Sequence, residues 1–418
     1  MEKLFRGNCI LSVLLMALYG CSCNNITPVG TDNSERIKPI WSTTLPGEAG
    51  VYNDGLIGLP VFEDKILFHS TVFTNLYDED NRIHALDIQT GKLEWTYPES
   101  YNSENRMFLW GVPYQYEDKL VMKMPKFGNL TKCDRIICLS LKNQNLVWSV
   151  NMPESLSFAT CRDVVGVGDT FYFIQETESN ALIFQGSVKR GNVDTLYSIG
   201  GINDEEEVEI TTNNALLEQI DGKTMMFFAT NEKKLTMEGV KAESYFNELD
   251  VQTRKVVSKV LVVNDDDYVV SNAEVVNGKA YLTSGRKCYC IDLSCGRYLW
   301  SFYSSEHVNY TASCILVQDN IVFLWGDNRY IGLDAGTGTK KYQGDIECGN
   351  AEVYNGYVYI VSRDGKLYIL DIKDGNQLAK IICPDKFFLT GCKPVVYDDK
   401  LFVFDDHHAY CYEAIPAE

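Results

Sequence analysis

Cysteine is the residue type in this chain best suited to metal or redox chemistry. The sequence contains 14 cysteines, and Cys288, Cys290 and Cys295 lie close together. Zinc prefers such thiolates, but Cys288 and Cys290 would point to one face of a strand, and structural zinc sites use tighter cysteine pairs. We therefore expect most of the cysteines to be small buried hydrophobic residues rather than metal ligands. A disulfide between Cys133 and Cys138 stays open, because it depends on an oxidising compartment.

The remaining candidates for chemistry are acidic runs, a histidine pair and a glycine-rich turn. The acidic runs at 78–81 and 265–267 lack the glycine and distal glutamate of an EF-hand loop, so we expect solvated loop acids rather than calcium ligands. His407 and His408 are adjacent and point apart on an extended chain, and no histidine belongs to a nucleophile motif. The stretch 336–340 lacks the spacing of a phosphate-binding loop. The sequence therefore predicts no catalytic residue, no metal and no cofactor.

The elements that position these residues form a repeat. In its first copy an alternating apolar strand ends at Asp87, turns tightly at Gly91 and continues into a strand that carries Trp95. The same spacing returns, complete or in part, at Trp148, at Asp292, Gly296 and Trp300, at Asp334 and Gly338, and at Asp371 and Gly375. The positions equivalent to Asp87 are Ser140, Ser187, Asp250, Asp292, Asp334, Asp371 and Glu413. Several are 42 residues apart, as from Asp250 to Asp292, which suits one four-stranded blade.

A second repeated turn separates each buried strand from its hairpin partner. It contains Asn-Gly, Asp-Gly or related pairs, which supply the positive φ angles of two-residue hairpins. Its eight copies lie at 63–65, 117–119, 168–169, 221–223, 277–279, 318–320, 355–356 and 398–400. The eighth unit stops before its last strand, and a strand of that type stands around Trp41, ahead of the first unit. The sequence therefore predicts an all-β fold: an eight-bladed β-propeller of four-stranded antiparallel blades over 38–418, its ring closed by the N-terminal strand.

The form Ala-x-Asp-x-x-Thr-Gly-x-x-x-Trp, seen at 85–95, resembles the repeat of the pyrroloquinoline-quinone-like (PQQ-like) propellers. That family includes the quinoprotein dehydrogenases and the β-barrel-assembly lipoprotein BamB. The resemblance covers nearly all of 38–418 and implies the fold but no activity, since these residues cap blades. A dehydrogenase of this family would imply a quinone, a calcium ion, a catalytic aspartate and often a disulfide between adjacent cysteines, and no two cysteines are adjacent here. We expect the tryptophans to pack between neighbouring blades; they are Trp41, Trp95, Trp148 and Trp300.

The segment before the propeller has the pattern of an export signal. Lys3 and Arg6 precede an uncharged apolar stretch that is too short to span a bilayer. It ends in Leu18-Tyr19-Gly20-Cys21, which resembles the lipobox of bacterial lipoproteins. We therefore predict a signal peptide over 1–21, acylation of Cys21 and a flexible tether over 22–37. No acidic cluster follows the cysteine, which favours the periplasmic side of the outer membrane over the cell surface.

Blade connectivity predicts which face of the ring carries function. Both repeated turns lie on one short, uniform face, so the other connections share the opposite face, where loops tend to carry function. The long loops of that face are expected at 72–81, 97–110, 125–134, 231–245 and 264–267. Aromatic residues beside charges suit a protein or carbohydrate contact. The candidate binding residues are Phe73, Tyr77, Tyr101, Arg106, Phe108, Trp110 and Phe127. The alternative, that these aromatics pack on each other to fold the loops, stays open.

The formal net charge of −19 argues against nucleic acid as a partner, because an acidic surface repels phosphates. We predict a non-enzymatic, monomeric, lipid-anchored envelope propeller that binds envelope proteins as a scaffold. The resemblance to BamB extends the expected partners to outer-membrane assembly machinery. Two alternatives stay open: a glycan or small-ligand receptor of the envelope, and a PQQ-dependent oxidoreductase.

Overall fold

The computed structural model describes residues 37–45, 61–75, 78–98, 111–126, 129–153, 163–177, 180–200, 208–213, 215–236, 239–263, 273–304, 315–326 and 328–415. Within these ranges the chain forms strands and turns without helices, so no described helix is long and apolar enough to cross a membrane. The predicted signal peptide and Cys21, and the predicted tether up to residue 36, lie outside the described residues.

The strands form eight antiparallel sheets, which are the blades of the predicted propeller. The first strand, β1 (Trp41–Thr44), belongs to the last blade. Blade 1 contains β2 (Lys65–Asn75), β3 (Asp78–Asp87) and β4 (Leu93–Tyr97); blade 2 contains β5 (Tyr114–Tyr116), β6 (Lys119–Lys126), β7 (Asn129–Ser140) and β8 (Asn145–Asn151). Blade 3 contains β9 (Val165–Val167), β10 (Thr170–Glu176), β11 (Ala181–Ser187) and β12 (Val193–Ile199); blade 4 contains β13 (Val208–Thr212), β14 (Leu216–Ile220), β15 (Lys223–Thr236), β16 (Gly239–Asp250) and β17 (Lys255–Val263).

The second half of the chain is more regular. Blade 5 contains β18 (Glu274–Val276), β19 (Lys279–Ser284), β20 (Lys287–Asp292) and β21 (Arg297–Tyr303); blade 6 contains β22 (Ile315–Gln318), β23 (Ile321–Gly326), β24 (Arg329–Asp334) and β25 (Lys340–Gly344). Blade 7 contains β26 (Cys348–Tyr354), β27 (Tyr357–Ser362), β28 (Lys366–Asp371) and β29 (Gln377–Ile382); blade 8 contains β30 (Val395–Tyr397), β31 (Lys400–Phe404) and β32 (His408–Glu413), followed by β1. The first strands β9, β14, β18, β22, β26 and β30 contact one another in succession, so they surround the axis.

The N-terminal strand closes the ring, as predicted. β1 pairs antiparallel with β32, and the register runs from Trp41 opposite Cys411 to Thr44 opposite His408. This pairing covers the outer edge of β32 and makes blade 8 four-stranded. Blade 1 shows three described strands, and Phe62 bridges Lys65 where its first strand would stand.

The hydrophobic core is divided among eight clusters, one at each junction between blades. Strand β2 shows how the alternation of side chains builds them. Leu67 packs towards blade 2, whereas Ile66 and Phe68 pack towards Phe402 of blade 8. Successive side chains of a strand point to opposite faces. The second strand of a blade therefore contributes side chains to the junctions on both sides of that blade.

The repeated turns lie on one face, which we call the turn face, and the opposite side is the connection face. All eight third strands end at the positions equivalent to Asp87, from Asp87 itself to Glu413. Asp87 caps its own turn, since its carboxylate accepts the backbone N–H of Gln89 at 3.1 Å and of Thr90 at 2.7 Å. The first-to-second-strand turns also have the expected positive φ, for example 53° at Asn277. Both turns are therefore set by local hydrogen bonds and backbone geometry.

The tryptophans connect each blade to the next turn. The indole N–H of Trp41 donates to the carbonyl oxygen of Ile88 at 2.9 Å, and equivalent bonds run from Trp148 to Val188 at 2.7 Å and from Trp300 to Ala335 at 3.0 Å. These rings lie against the turn glycines of the receiving blades, Gly91, Gly191 and Gly338. Trp95 packs against the cluster between blades 1 and 2.

The predicted loops at 72–81, 125–134 and 231–245 are wrong in kind, because paired strands replace most of them. β2 and β3 stay paired from Lys65 opposite Asp87 to Asn75 opposite Asp78. Backbone pairing continues beyond the blade because a two-stranded ladder satisfies its own N–H and C=O groups. The acidic run at 78–81 is accordingly the start of β3, whereas 265–267 lies outside the described residues.

The disulfide that was left open between Cys133 and Cys138 does not form. Both residues lie on β7, where five residues of extended chain separate their Cα atoms by about 16 Å, far beyond the reach of a disulfide. Cys138 is a free, buried thiol in the cluster between blades 2 and 3.

Burial of His84 makes the stability of the fold depend on pH. Its ring is fully buried, stacks on Phe68 at 4.9 Å and lies 2.9 Å from the Thr96 hydroxyl through Nδ1. Burial lowers the pKa of His84 from 6.5 to about 3, with smaller contributions from His69 and Arg82. The unfolded chain therefore binds this proton at a higher pH than the folded chain, and stability falls as pH drops from 6.5 towards 3.

We predict that His84→Gln flattens this acid dependence. The difference between wild type and variant in free energy of unfolding should shrink by roughly 2–4 kcal/mol between pH 7 and pH 4. Urea denaturation at several pH values measures it, and His407→Gln, at an exposed surface position, is the matched control. An unchanged pH slope in His84→Gln would show that other groups carry the acid sensitivity.

Candidate functional site

The connection face is built up unevenly around the ring. In blade 5 the second and third strands are joined by the tight turn at Gly285 and Arg286. In blades 1, 2 and 4 the same connection is a long hairpin, formed by β2–β3, β6–β7 and β15–β16. The hairpin of blade 4 is paired from Met225 opposite Asp250 to Thr236 opposite Gly239. The described extensions of this face therefore cluster in the first half of the chain.

Blade 4 carries the widest of these extensions. β14 pairs with the first half of β15, and β13 pairs with its second half, where Val208 lies opposite Lys234. On the other side β17 follows β16 as far as Val263 opposite Ser244. Three strands, β13, β15 and β16, thus continue well beyond the regular blade, and β17 reaches one residue past it. A sheet of this width is stable where an isolated hairpin would be marginal.

Charged and aromatic side chains meet on the extended part of blade 4. The Nζ atom of Lys259 lies 2.5 Å from a Glu232 carboxylate oxygen and 4.0 Å from the centre of the Tyr245 ring. The Tyr245 hydroxyl donates to Glu243 at 2.6 Å. Burial, and then the Glu243 carboxylate, raise the pKa of the Tyr245 phenol above its usual range. The sequence predicted a loop at 231–245, and neither Glu232 nor Lys259 was among the predicted binding residues. The alternation of 255–263 is nevertheless a signal for the strand that carries Lys259.

A layer of buried polar side chains lies beneath the connection face. Lys123 is only 1% exposed; its Nζ atom donates to the carbonyl oxygen of Ile174 at 3.2 Å and lies 5.5 Å from the Phe173 ring centre. Gln175 is fully buried, and neither atom of its amide has a hydrogen-bond partner among the described residues. Buried polar groups of this kind are costly unless paired.

Glu176 extends this layer from blade 3 to blade 4. Its carboxylate accepts the backbone N–H of Thr212 at 2.6 Å and the Thr212 hydroxyl at 2.9 Å. Within blade 4, the Asn247 amide donates to Thr230 at 3.0 Å and the Ser244 hydroxyl to Asn231 at 2.6 Å. These bonds fix the base of the extended sheet, so the connection face is held rigidly where it projects.

A second polar group lies on the connection face at blade 8. His408 Nδ1 is 3.2 Å from Asp405 and 4.0 Å from Asp385, so these three side chains lie within reach of one cation. The buried Asp405 carboxylate, however, already accepts the backbone N–H groups of His407 at 2.7 Å and His408 at 2.6 Å, and the hydroxyl of Tyr410. Its role is to cap the β31–β32 turn. The centres of the two histidine rings are 6.4 Å apart and the rings stand edge to face at 88°, so they do not point apart as the sequence predicted.

Carboxylates near the axis come from blades 5 and 7. Glu352 pairs with Lys393 at 2.6 Å. Burial raises the pKa of Glu274 to about 7; Lys393 opposes this shift and Glu352 adds to it. A calcium ion would meet the Lys393 ammonium beside these carboxylates. The described residues near the axis therefore do not fit the calcium–quinone centre that a quinoprotein dehydrogenase would need.

The closely spaced cysteines divide between core and surface. Cys288 and Cys290 are fully buried in the cluster between blades 5 and 6, as expected. Burial raises the pKa of the Cys290 thiol to about 11 and that of Cys288 further above its usual value. Cys295 is exposed in the following turn, whereas the other described free cysteines are buried, so the expectation holds for most of them. Neutral thiols in an apolar cluster are poor metal ligands.

Most of the candidate binding residues lie outside the described residues; they are Tyr77, Tyr101, Arg106, Phe108, Trp110 and Phe127. Phe73 lies on β2 opposite Glu79, and its side chain is not described. Their roles therefore stay predictions. On the connection face the structure describes the hairpins of blades 1 and 2 and the extended sheet of blade 4.

Comparison with known proteins supports a BamB-like, PQQ-like propeller. The family described as outer membrane protein assembly factor BamB matches residues 249–387. BamB from Moraxella catarrhalis is 14% identical, with a TM-score of 0.59 over 90% of this chain and 99% of that one. No curated protein matches the sequence significantly.

Other solved structures share the fold with different functions. A europium-containing methanol dehydrogenase is 12% identical, with a TM-score of 0.65 over 89% of this chain and 85% of that one. The computationally designed Ika8 protein is 14% identical, with a TM-score of 0.56 over 88% of this chain and 98% of that one. At these identities the likeness concerns the fold alone, and the activity must be argued from the residues.

Proposed function

We propose that this protein is a non-enzymatic, lipid-anchored propeller of the bacterial cell envelope that binds another envelope protein through its connection face. The observation that carries this proposal is the unequal build of that face. Long hairpins rise from blades 1, 2 and 4, and the blade 4 extension is three strands wide. The turn face, by contrast, repeats the same short turns around the ring.

The chemistry of the described connection face suits a protein partner. Tyr245 supplies an aromatic ring of the kind enriched at protein interfaces, and the Lys259–Glu232 ion pair beside it suits the polar rim of such an interface. The match to the BamB family points to outer-membrane assembly machinery as the partner class. A periplasm-facing monomer held by a lipid on Cys21 completes the proposal.

The test is a pull-down from envelope extract with the purified, anchored protein as bait. We expect wild type to retain a defined set of envelope proteins, and the triple variant Tyr101→Ala, Phe108→Ala and Trp110→Ala to lose it by about tenfold or more, as for aromatic hot spots. A second variant, Tyr245→Ala, tests the described part of the same face.

The matched control is Tyr397→Ala, which removes a 43% exposed tyrosine next to a first-to-second-strand turn on the turn face. It should retain the partners of the wild type. If both connection-face variants retain the same proteins as Tyr397→Ala while remaining folded, the connection face is not the docking surface and the proposal fails.

A further inference from the structure

The junction between blades 3 and 4 departs from the repeat. At the Trp95 position, eight residues after the aspartate position, blade 3 carries Thr195. The turn residue that would receive an indole in blade 4 is Arg254, whereas blades 1, 3, 5, 6 and 7 have glycine and blade 2 has Gln144 at this position. Arg254 keeps the left-handed backbone with φ at 57°. An arginine in that conformation carries strain that glycine would not.

The strand pairing of blade 3 departs in the same place. In blade 2 a bulge stands directly beside the tryptophan: Cys138 faces Trp148 and Leu139 faces Leu146. In blade 3 the bulge lies two residues earlier along the third strand, between Ile183 and Phe184. Asp194 rather than Thr195 therefore stands opposite Gln185. A bulge re-aims the side chains that follow it.

A polar cavity of about 360 Å³, half open to solvent, lies at this junction. Thr195, Asp194 and Gln185 line one side and Arg254 another, with Leu196 as an apolar patch. The cavity thus lies where the repeat would otherwise place an indole. Its size is within the range of small-ligand sites and far above that of a single ordered water.

The charges of the cavity favour a ligand with one negative group. Arg190 and Arg254 both line it, and neither guanidinium has an ion-pair or hydrogen-bond partner among the described residues. Unpaired guanidinium groups bind carboxylates in a bidentate manner. The carboxylates of Asp169 and Asp194 also line the cavity and would repel a polyphosphate.

The rest of the lining favours hydroxyl groups on that ligand. The Asp194 carboxylate accepts a hydrogen bond from the Asn192 amide at 3.3 Å and can accept further hydrogen bonds. Gln185 and Thr195 offer both donors and acceptors. Among the described residues, no aromatic ring lines the cavity for base stacking. We infer that this cavity binds a sugar acid, a single hydroxylated ring with one carboxylate, either free or at the end of a glycan. This site is separate from the connection face.

The experiment is calorimetric titration of the full chain with glucuronate, glucose, acetate and an oligosaccharide that ends in glucuronate. We expect saturable 1:1 binding of glucuronate. Glucose and acetate should each bind at least about tenfold more weakly, because glucose lacks the carboxylate and acetate lacks the hydroxylated ring. Tighter binding of the oligosaccharide than of free glucuronate identifies a glycan end as the source; equal or weaker binding identifies the free acid.

The decisive variant restores the repeat: Thr195→Trp with Arg254→Gly should fill the cavity and abolish binding while the melting temperature stays equal or rises. Arg190→Gln, at an exposed position, should weaken glucuronate binding about tenfold or more. This variant tests the inference if the double variant does not fold. Gln144→Gly changes the same turn position in blade 2, which lines no part of this cavity, and should leave binding unchanged. Undiminished glucuronate binding in the folded double variant or in Arg190→Gln, or glucuronate binding no tighter than acetate, overturns the inference.

Discussion

Trp41→Ala lowers the free energy of unfolding by about 2–4 kcal/mol, somewhat less than for a fully buried tryptophan because the ring is partly exposed. The variant loses the indole bond to the Ile88 carbonyl and the packing against Gly91 and Phe402. The chain connects β1 directly to blade 1 but not to β32 of blade 8, so only noncovalent contacts hold β1 in blade 8. The closing strand is therefore expected to detach more readily than any continuous part of the ring.

Urea denaturation measures the loss of stability, and hydrogen exchange locates it. Amides of β32 should exchange faster in Trp41→Ala, because release of β1 exposes the edge of that strand. Trp148→Ala removes a similar indole bond inside the continuous chain and should not accelerate exchange in β32. Ile40→Ala is the matched control: Ile40 is 44% exposed and only its backbone N–H bonds Cys411. Equal costs for Trp41→Ala and Ile40→Ala would contradict closure by the indole.

The turns of the propeller follow from the sequence because their causes are local. Asp87 caps the next residues of its own turn, and Asn277 takes a positive φ beside a glycine. Even Ser187 at the same position works in this way: its hydroxyl donates to Asp169 at 2.7 Å and accepts the N–H of Arg190 at 3.1 Å. Counting such turns therefore gave the number of blades and the closure by β1.

Strand lengths and register do not follow in this way. The sequence of β15 and β16 carries polar residues that look like a loop, and only pairing between the two strands makes them extended. The bulge between Ile183 and Phe184 belongs to the pairing of β11 with β12 and cannot be seen in the sequence of either strand alone. The polar layer with Lys123 and Gln175 is likewise invisible in composition, because its members become neighbours only through the junction of two blades.

The candidate site was predicted only in outline. Connectivity alone places the long connections on one face, and the described hairpins of blades 1, 2 and 4 lie there. The individual binding residues, such as Tyr101 and Trp110, stay predictions. Lys259 was missed because its strand follows a loop-like stretch, and its contact with Tyr245 requires the register of β16 and β17.

Gly338→Ala should be among the most damaging single-methyl changes in the described chain. A Cβ atom at Gly338 would lie 2.5 Å from Cδ2 of Trp300, closer than any relaxed contact, and φ is already +69°. The ring must therefore move, which weakens its bond to the Ala335 carbonyl. We expect the free energy of unfolding to fall by about 3–5 kcal/mol, combining backbone strain with overpacking.

Gly278→Ala separates these two causes. Gly278 has a φ of +72° and no atom within 4 Å of the added Cβ, so it should lose only about 1–2 kcal/mol of backbone strain. A double-mutant cycle completes the argument: in a Trp300→Ala background, Gly338→Ala should cost no more than Gly278→Ala, because the clash partner is gone. If Gly338→Ala costs the same with and without the indole, the tryptophan does not set the requirement for glycine. The requirement for glycine in this turn would then come from the left-handed backbone alone and not from the contact with the indole.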